Sequence, residues 1–255
     1  SDLTDVINNN ANVNLTMQAN SGAITTDLDV TGSLGTSDTL NIVNAADGTN
    51  TFDTNNDVFE TINLVAFSAT ADPTIVTGAY SIGTPAGTGV LTINAQGLGA
   101  GNVVTITGTQ SATPMSITTG IAADSVTLGT KADTLVSGAG NDIITATAGS
   151  NNITAGDGVD TVTLGTGADT IDMGAGNDII TAGANLANTD VIDGGDGVDT
   201  LTTTAAIANS SVMGGVSNIE IINPIGAINT TADGAMGGAT TFLINSANAQ
   251  ILTLG

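Results

Sequence analysis

Between residues 119 and 202 the chain repeats every nine residues, and this period constrains the fold more than any other feature. Read in nines, the block runs TGIAADSVT, LGTKADTLV, SGAGNDIIT, ATAGSNNIT, AGDGVDTVT, LGTGADTID and MGAGNDIIT. Three extra residues, Ala182 to Ala184, precede NLANTDVID and GGDGVDTLT. The sixth position holds Asp124, Asp133, Asp142, Asn151, Asp160, Asp169, Asp178, Asp190 and Asp199. The eighth holds Val126, Leu135, Ile144, Ile153, Val162, Ile171, Ile180, Ile192 and Leu201. Two columns that keep phase over nine windows are not a chance pattern.

Residue types give the period a structural meaning. Gly138, Gly140, Gly156, Gly158, Gly165, Gly167, Gly174, Gly176, Gly195 and Gly197 fall where a tight turn needs positive φ or close backbone approach. The last three residues of each window, such as Ile143-Ile144-Thr145, read as a short strand whose middle side chain points inward. Two windows then make one coil, with a strand on each face and a turn at each edge. The prediction is an all-β parallel solenoid in which successive strands stack about 4.8 Å apart.

That stacking places each sixth-position residue over the one eighteen residues earlier: Asp142, Asp160 and Asp178 along one edge, Asp133, Asn151 and Asp169 along the other. Carboxylates about 5 Å apart repel by roughly 3–4 kcal/mol at an effective dielectric near 20. The roll therefore calls for cations. Carboxylates and turn carbonyls are hard oxygen donors that favour calcium, whereas magnesium demands a tight octahedron and retains its water.

Composition agrees and excludes several function classes. Apolar residues make up 40% of the 255, but aromatics only 2%, with no Trp, which suits layered strands better than a thick globular core. Twenty-four acidic residues face one basic residue, Lys131, for a net charge of −23. Nucleic-acid binding needs clusters of Lys and Arg and is excluded, as is docking on an anionic membrane surface. With no Cys and no His, the chain has no disulfides, no thiolate sites and no usual zinc ligands or general base. No apolar run approaches the ~20 residues of a membrane span. The chain starts Ser1-Asp2-Leu3 and stops at Gly255 beside a strand-like run, so it reads as a piece of something longer.

The nonapeptides resemble the RTX repeat GGxGxDxUx, with U large and apolar, of proteins exported by type I secretion. GGDGVDTLT at 194–202 matches at every position, and SGAGNDIIT, AGDGVDTVT and MGAGNDIIT miss only the first Gly. The resemblance implies a right-handed calcium β-roll, with several Ca2+ ions sandwiched between turns and ligated by the sixth-position side chains and by carbonyls of the turn glycines named above. Asn151 departs from the pattern and should weaken its site. The window around Asp190 has no Gly, and the insertion beside it is expected to break the stacking and leave the ladder irregular there.

Outside the block, Val90-Leu91-Thr92-Ile93, Val103-Val104-Thr105-Ile106-Thr107 and Met115-Ser116-Ile117-Thr118 read as short strands of less regular coils. The expected organisation is an irregular solenoid over 1–118, the calcium roll over 119–202 and a strand-rich continuation over 203–255. One echo flanks the roll: Asp38-Thr39-Leu40 precedes Glu60-Thr61-Ile62 as Asp199-Thr200-Leu201 precedes Glu220-Ile221-Ile222. This mixture resembles bacterial RTX-type S-layer proteins such as that of Caulobacter. That resemblance implies self-association into a two-dimensional lattice on the cell surface of a Gram-negative bacterium, with a lipopolysaccharide anchor in a region outside this chain.

Rival readings of single features are weaker. Asp27, Asp29, Thr31, Gly32 and Asp38 imitate an EF-hand loop, but strand-like residues flank it and Asp rather than Glu ends it. Glu60 and Glu220 could pair as glycosidase carboxyls, yet they sit in equivalent structural units. Tyr80 and Lys131 lack any partner for nucleophilic catalysis. The chain is read as no enzyme. Two alternatives to the coat stay open: the calcium-dependent repeat region of an adhesin, and the C-terminal RTX part of a secreted hydrolase.

Overall fold

The computed structural model describes residues 14–19, 25–27, 39–44, 48–53, 61–66, 73–79, 90–99, 103–108, 113–204, 213–224, 229–232, 241–242 and 251–254. All regular structure among them is β. Two parallel sheets of eleven strands each face one another, and a separate pair joins Asn229–Ala232 to Ile251–Leu254. Through the block, consecutive strands alternate between the sheets: Met115–Thr118 in the first, Ser125–Thr127 in the second, Thr134–Ala139 in the first, Ile143–Thr145 in the second. Each coil thus gives one strand to each sheet. This is the all-β parallel solenoid, in an RTX-type β-roll arrangement, that the nine-residue period predicts.

The coil length is that of two nonamers. Thr134 pairs with Asn152 and Asn152 with Thr170; Ser125 pairs with Ile143, Ile143 with Thr161 and Thr161 with Ile179. The ladders pass residue 118 without a break, since Ile117 pairs with Leu135 and Ile106 with Val126. They also pass residue 202, where Thr202 pairs with Asn223.

The core is thin and continuous. The eighth-position residues, Val126 to Leu201, are all at most 1% exposed. A second inward column comes from the first position of successive windows, with Ala182 of the insertion continuing it: Leu128, Ser137, Ala146, Ala155, Leu164, Met173 and Ala182 are at most 2% exposed. Small and branched side chains fill the narrow space between the sheets, and each buried Ile, Leu or Val contributes roughly 1.5–3 kcal/mol of hydrophobic stabilisation. Strand residues on either side of the inward one face out, as Ile143 does at 58% exposure.

One expectation is corrected here. The insertion leaves the ladder irregular, as expected, but does not break the stack. A register shift between Thr181 and Gly183 absorbs it, and Gly183 turns with φ of 54°. Asn185 donates to the Ala182 carbonyl from its backbone and to the Leu164 carbonyl from its side chain, both at 2.9 Å. Beyond it Thr170 still pairs with Val191 and Ile179 with Thr200. The flanking echo recurs as the same kind of stacked strand pair, on opposite sheets. Thr39 pairs with Thr61 in the first sheet, whereas Thr200 pairs with Ile221 in the second. Asp38, Glu60, Tyr80 and most of the EF-hand-like stretch lie outside the described residues.

Candidate metal-binding edges

The turns of the roll line up along two edges. The first joins the first sheet to the second and comprises residues 137–142, 155–160, 173–178 and 194–199. The second comprises 128–133, 146–151, 164–169 and 185–190. Every sixth-position residue from Asp124 to Asp199 is buried, at no more than 2% exposure.

A backbone hydrogen bond aims each of these side chains. Asp142 Oδ1 accepts from the Asp124 N–H at 2.7 Å, Asp160 Oδ1 from Asp142 at 2.8 Å, Asp178 Oδ1 from Asp160 at 2.8 Å and Asp199 Oδ1 from Asp178 at 2.8 Å. The second edge repeats the arrangement: Asn151 Oδ1 accepts from Asp133, Asp169 Oδ1 from Asn151 and Asp190 Oδ1 from Asp169. At the near end, Asp124 and Asp133 reach back to the N–H groups of Val104 and Met115. At the far end Glu220 takes the place of the column Asp, its Oε2 accepting from the Asp199 N–H at 2.8 Å. One oxygen of each carboxylate is thereby committed to the fold.

The other oxygen distinguishes the sites. Oδ2 of Asp142, Asp160, Asp169, Asp178 and Asp199 is buried and has no hydrogen-bond partner. A buried carboxylate oxygen without a donor costs roughly 1–3 kcal/mol or more. Among the described residues no three carboxylates converge on one point. The carboxylates are instead strung in files, so an ion between turns would need carbonyl oxygens as well. Turn geometry provides them. Gly158 has φ of 147°, and a Cβ there would collide with the Gly140 carbonyl oxygen of the coil before. Gly156, Gly174, Gly176, Gly195 and Gly197 stand in the same relation to carbonyls of the preceding coil. Gly165 lies outside the left-handed region, yet a Cβ there would meet the Ala146 carbonyl. These bare oxygens, amid stacked carbonyls and with neither His nor Cys, fit a hard divalent cation such as calcium.

Electrostatics point the same way. Burial, as the largest cause, raises the carboxyls of Asp124, Asp133, Asp142, Asp169, Asp178 and Asp199 above the ordinary value, partly offset by their backbone N–H donors. Asp160 is pushed up to about 6, first by burial, with the Asp142, Asp178 and Asp157 charges adding to it. Asp157 and Asp196 are exposed at the third turn position.

Three features were not anticipated from the sequence. Asn141 Oδ1 accepts from the Val159 N–H and Asn177 Oδ1 from the Val198 N–H, each at 2.9 Å, so fifth-position Asn locks the following turn. The sequence carries the signal: along this edge the fifth position alternates Asn141, Val159, Asn177, Val198. Thr119 and Ser137 hydroxyls donate to the Ser137 and Ala155 carbonyls at 2.6 and 2.8 Å. The third is the unequal use of Oδ2, which depends on turn geometry.

A parallel two-sheet roll with carboxylate files at its turns defines a class of structural, ion-binding solenoid. The RTX calcium-binding nonapeptide repeat matches this chain in four copies, over residues 118–153, 128–162, 145–180 and 187–205. The roll is therefore a run of RTX repeats, a calcium-binding structural family rather than a catalytic one and one associated with secreted and cell-surface proteins. Neither a curated protein nor a solved structure matches the chain. No helix among the described residues is long and apolar enough to cross a membrane.

Proposed function

We propose that the chain is a structural segment of a bacterial surface layer, in which calcium completes the β-roll and so permits lattice assembly. The observation that carries the calcium part is the set of buried, unpartnered Oδ2 atoms. Calcium between consecutive turns would satisfy them, with sixth-position side chains and carbonyls of turn glycines such as Gly138, Gly140, Gly156 and Gly158 as ligands. Extracellular modules bind calcium at roughly 10⁻⁴–10⁻³ M, far above cytosolic free levels. The roll would stay empty inside the cell, suit export through a type I channel, and fill outside. The coat reading is supported by the net charge of −23, the absence of Cys, the single Lys and the scarcity of aromatics, which fit a layer made in bulk and exposed to proteases. Neutralising acidic protomers would let them approach one another.

Circular dichroism during chelator titration tests the calcium part: the β-signal and protease resistance of 119–202 should fall together and return with calcium but not with equimolar magnesium. A signal unchanged in excess chelator would remove calcium from the account. Electron microscopy of calcium-loaded protein separates a coat, which gives two-dimensional sheets, from an adhesin segment or hydrolase tail, which gives fibres or monomers. Strong chelation of intact cells should release the layer.

A further inference from the structure

The two edges of the roll treat their carboxylates differently. On the first edge four consecutive turns, at Asp142, Asp160, Asp178 and Asp199, leave Oδ2 buried and unpartnered. These form three adjacent pairs, 142/160, 160/178 and 178/199. On the second edge the protein supplies its own donors. Asp133 Oδ2 accepts from the Gly129 N–H of its own turn at 2.9 Å, and Asp190 Oδ2 from the Ala187 N–H at 2.8 Å. Between them Asn151 brings an amide instead of a carboxylate. Its Nδ2 donates to Asp169 Oδ1 at 3.0 Å and to the Ala148 carbonyl at 3.3 Å. Asp169 alone keeps a bare Oδ2 there, and neither neighbouring turn offers a second free carboxylate oxygen.

We infer that calcium loads in single file along the first edge, in the three gaps between Asp142, Asp160, Asp178 and Asp199, while the second edge is closed by hydrogen bonds. The Asn151 amide is the built-in substitute for a cation on that second edge: it bridges a carboxylate and a turn carbonyl of adjacent coils, the two donor types an ion would bridge. Turn chemistry accounts for the asymmetry. The first edge repeats Gly-x-Gly-x-Asp, with positive φ at both glycines in each of its turns from 137 to 199. On the second edge the 146–151 and 164–169 turns have one positive-φ glycine each, Gly149 and Gly167, the 128–133 turn has none, and residues 185–190 contain no Gly, the nearest being Gly183 in the insertion before them. A turn with no left-handed residue directs an N–H at Oδ2, as at Asp133, at Asp190 and, where the first edge begins, at Asp124 from Gly120, whereas the double-glycine turn leaves that oxygen free for an ion. This inference rests on the calcium reading above.

The test is the number of calcium ions retained by the full chain after equilibrium dialysis, measured by elemental analysis, with calorimetry alongside. Asp160 serves two gaps, so D160N should bind two fewer ions than the wild type. D133N and D169N should bind the same number as the wild type, and N151D should bind one more, because it places a carboxylate beside Asp133 and Asp169. Ion loss in D133N or D169N equal to that in D160N overturns the single-file assignment while leaving calcium binding intact. A wild type that retains no calcium overturns the underlying reading and the assignment with it. If D160N fails to fold, D169N and N151D still decide between one loaded edge and two.

Discussion

A single sixth-position Asp serves two purposes, one with each oxygen. Oδ1 accepts a backbone N–H from the preceding coil, which satisfies a buried donor and fixes the rotamer. From Asp142 to Asp199 on the first edge Oδ2 is left buried and unpartnered, the oxygen proposed to meet an ion. Desolvation makes the metal-free state sensitive to pH. Asp160 is raised from 3.8 to about 6, so the folded, ion-free roll holds a proton that the unfolded chain has released. The stability from that protonation is fully present below pH 3.8 and is lost as pH rises through about 6. The calcium-stripped chain should therefore keep more of its β-signal at pH 5 than at pH 7, measured by circular dichroism. Calcium binding should weaken over the same acidification, because protons and ions compete for the same oxygens. A metal-free β-signal that grows from pH 5 to pH 7 would mean that the carboxylates are not desolvated.

At the scale of the element, each three-residue strand contributes one inward side chain and two outward ones. Ile153 is 0% exposed in the strand Asn152–Asp157 of the first sheet, whereas Ile143, which opens the strand Ile143–Thr145 of the second, is 58% exposed. I153A should cost about 2–5 kcal/mol, the range for truncating a buried branched residue in a site that cannot collapse. I143S should stay within about 0.5 kcal/mol, the usual range for surface changes. Urea denaturation of calcium-loaded protein checks both, and similar costs at the two positions would mean that the inward phase is wrong. The nine-residue period predicts this phase, because an apolar eighth position recurs in every window. It left the first position unassigned, since Ser137, Ala146, Met173 and Gly194 share no residue type; only the curvature of the coil turns that column inward.

For the whole molecule, stability propagates from coil to coil, since each coil touches only its neighbours. Ends of the regular stack then matter more than its middle. Glu220 closes the far end of the first edge by accepting the Asp199 N–H, one side-chain carbon longer than the Asp it replaces. E220A leaves that N–H without its acceptor and should cost about 1 kcal/mol, seen as faster hydrogen exchange across 194–203. E220Q keeps an acceptor and should restore protection. Equal exchange in E220A and wild type would show that the end of the roll is held elsewhere.

The sequence by itself determined the solenoid, its eighteen-residue coil, the inward eighth position and the assignment of alternate Asp residues to opposite edges. All of these follow from a period of nine and from side-chain volume and polarity, which are written in every window. Tertiary structure decided the rest. The insertion at Ala182–Ala184 violates the period in sequence, yet a bulge at a turn absorbs it because the strands on either side still find partners. The echo at Thr39 and Thr200 looks like one unit in sequence, and the count of intervening strands sends it to opposite sheets. The difference between the edges was visible only as fewer glycines in one set of turns. Whether an Asp oxygen meets an N–H or remains bare depends on the φ of the residues around it and on the coil stacked beside it, and neither is a property of a residue taken alone.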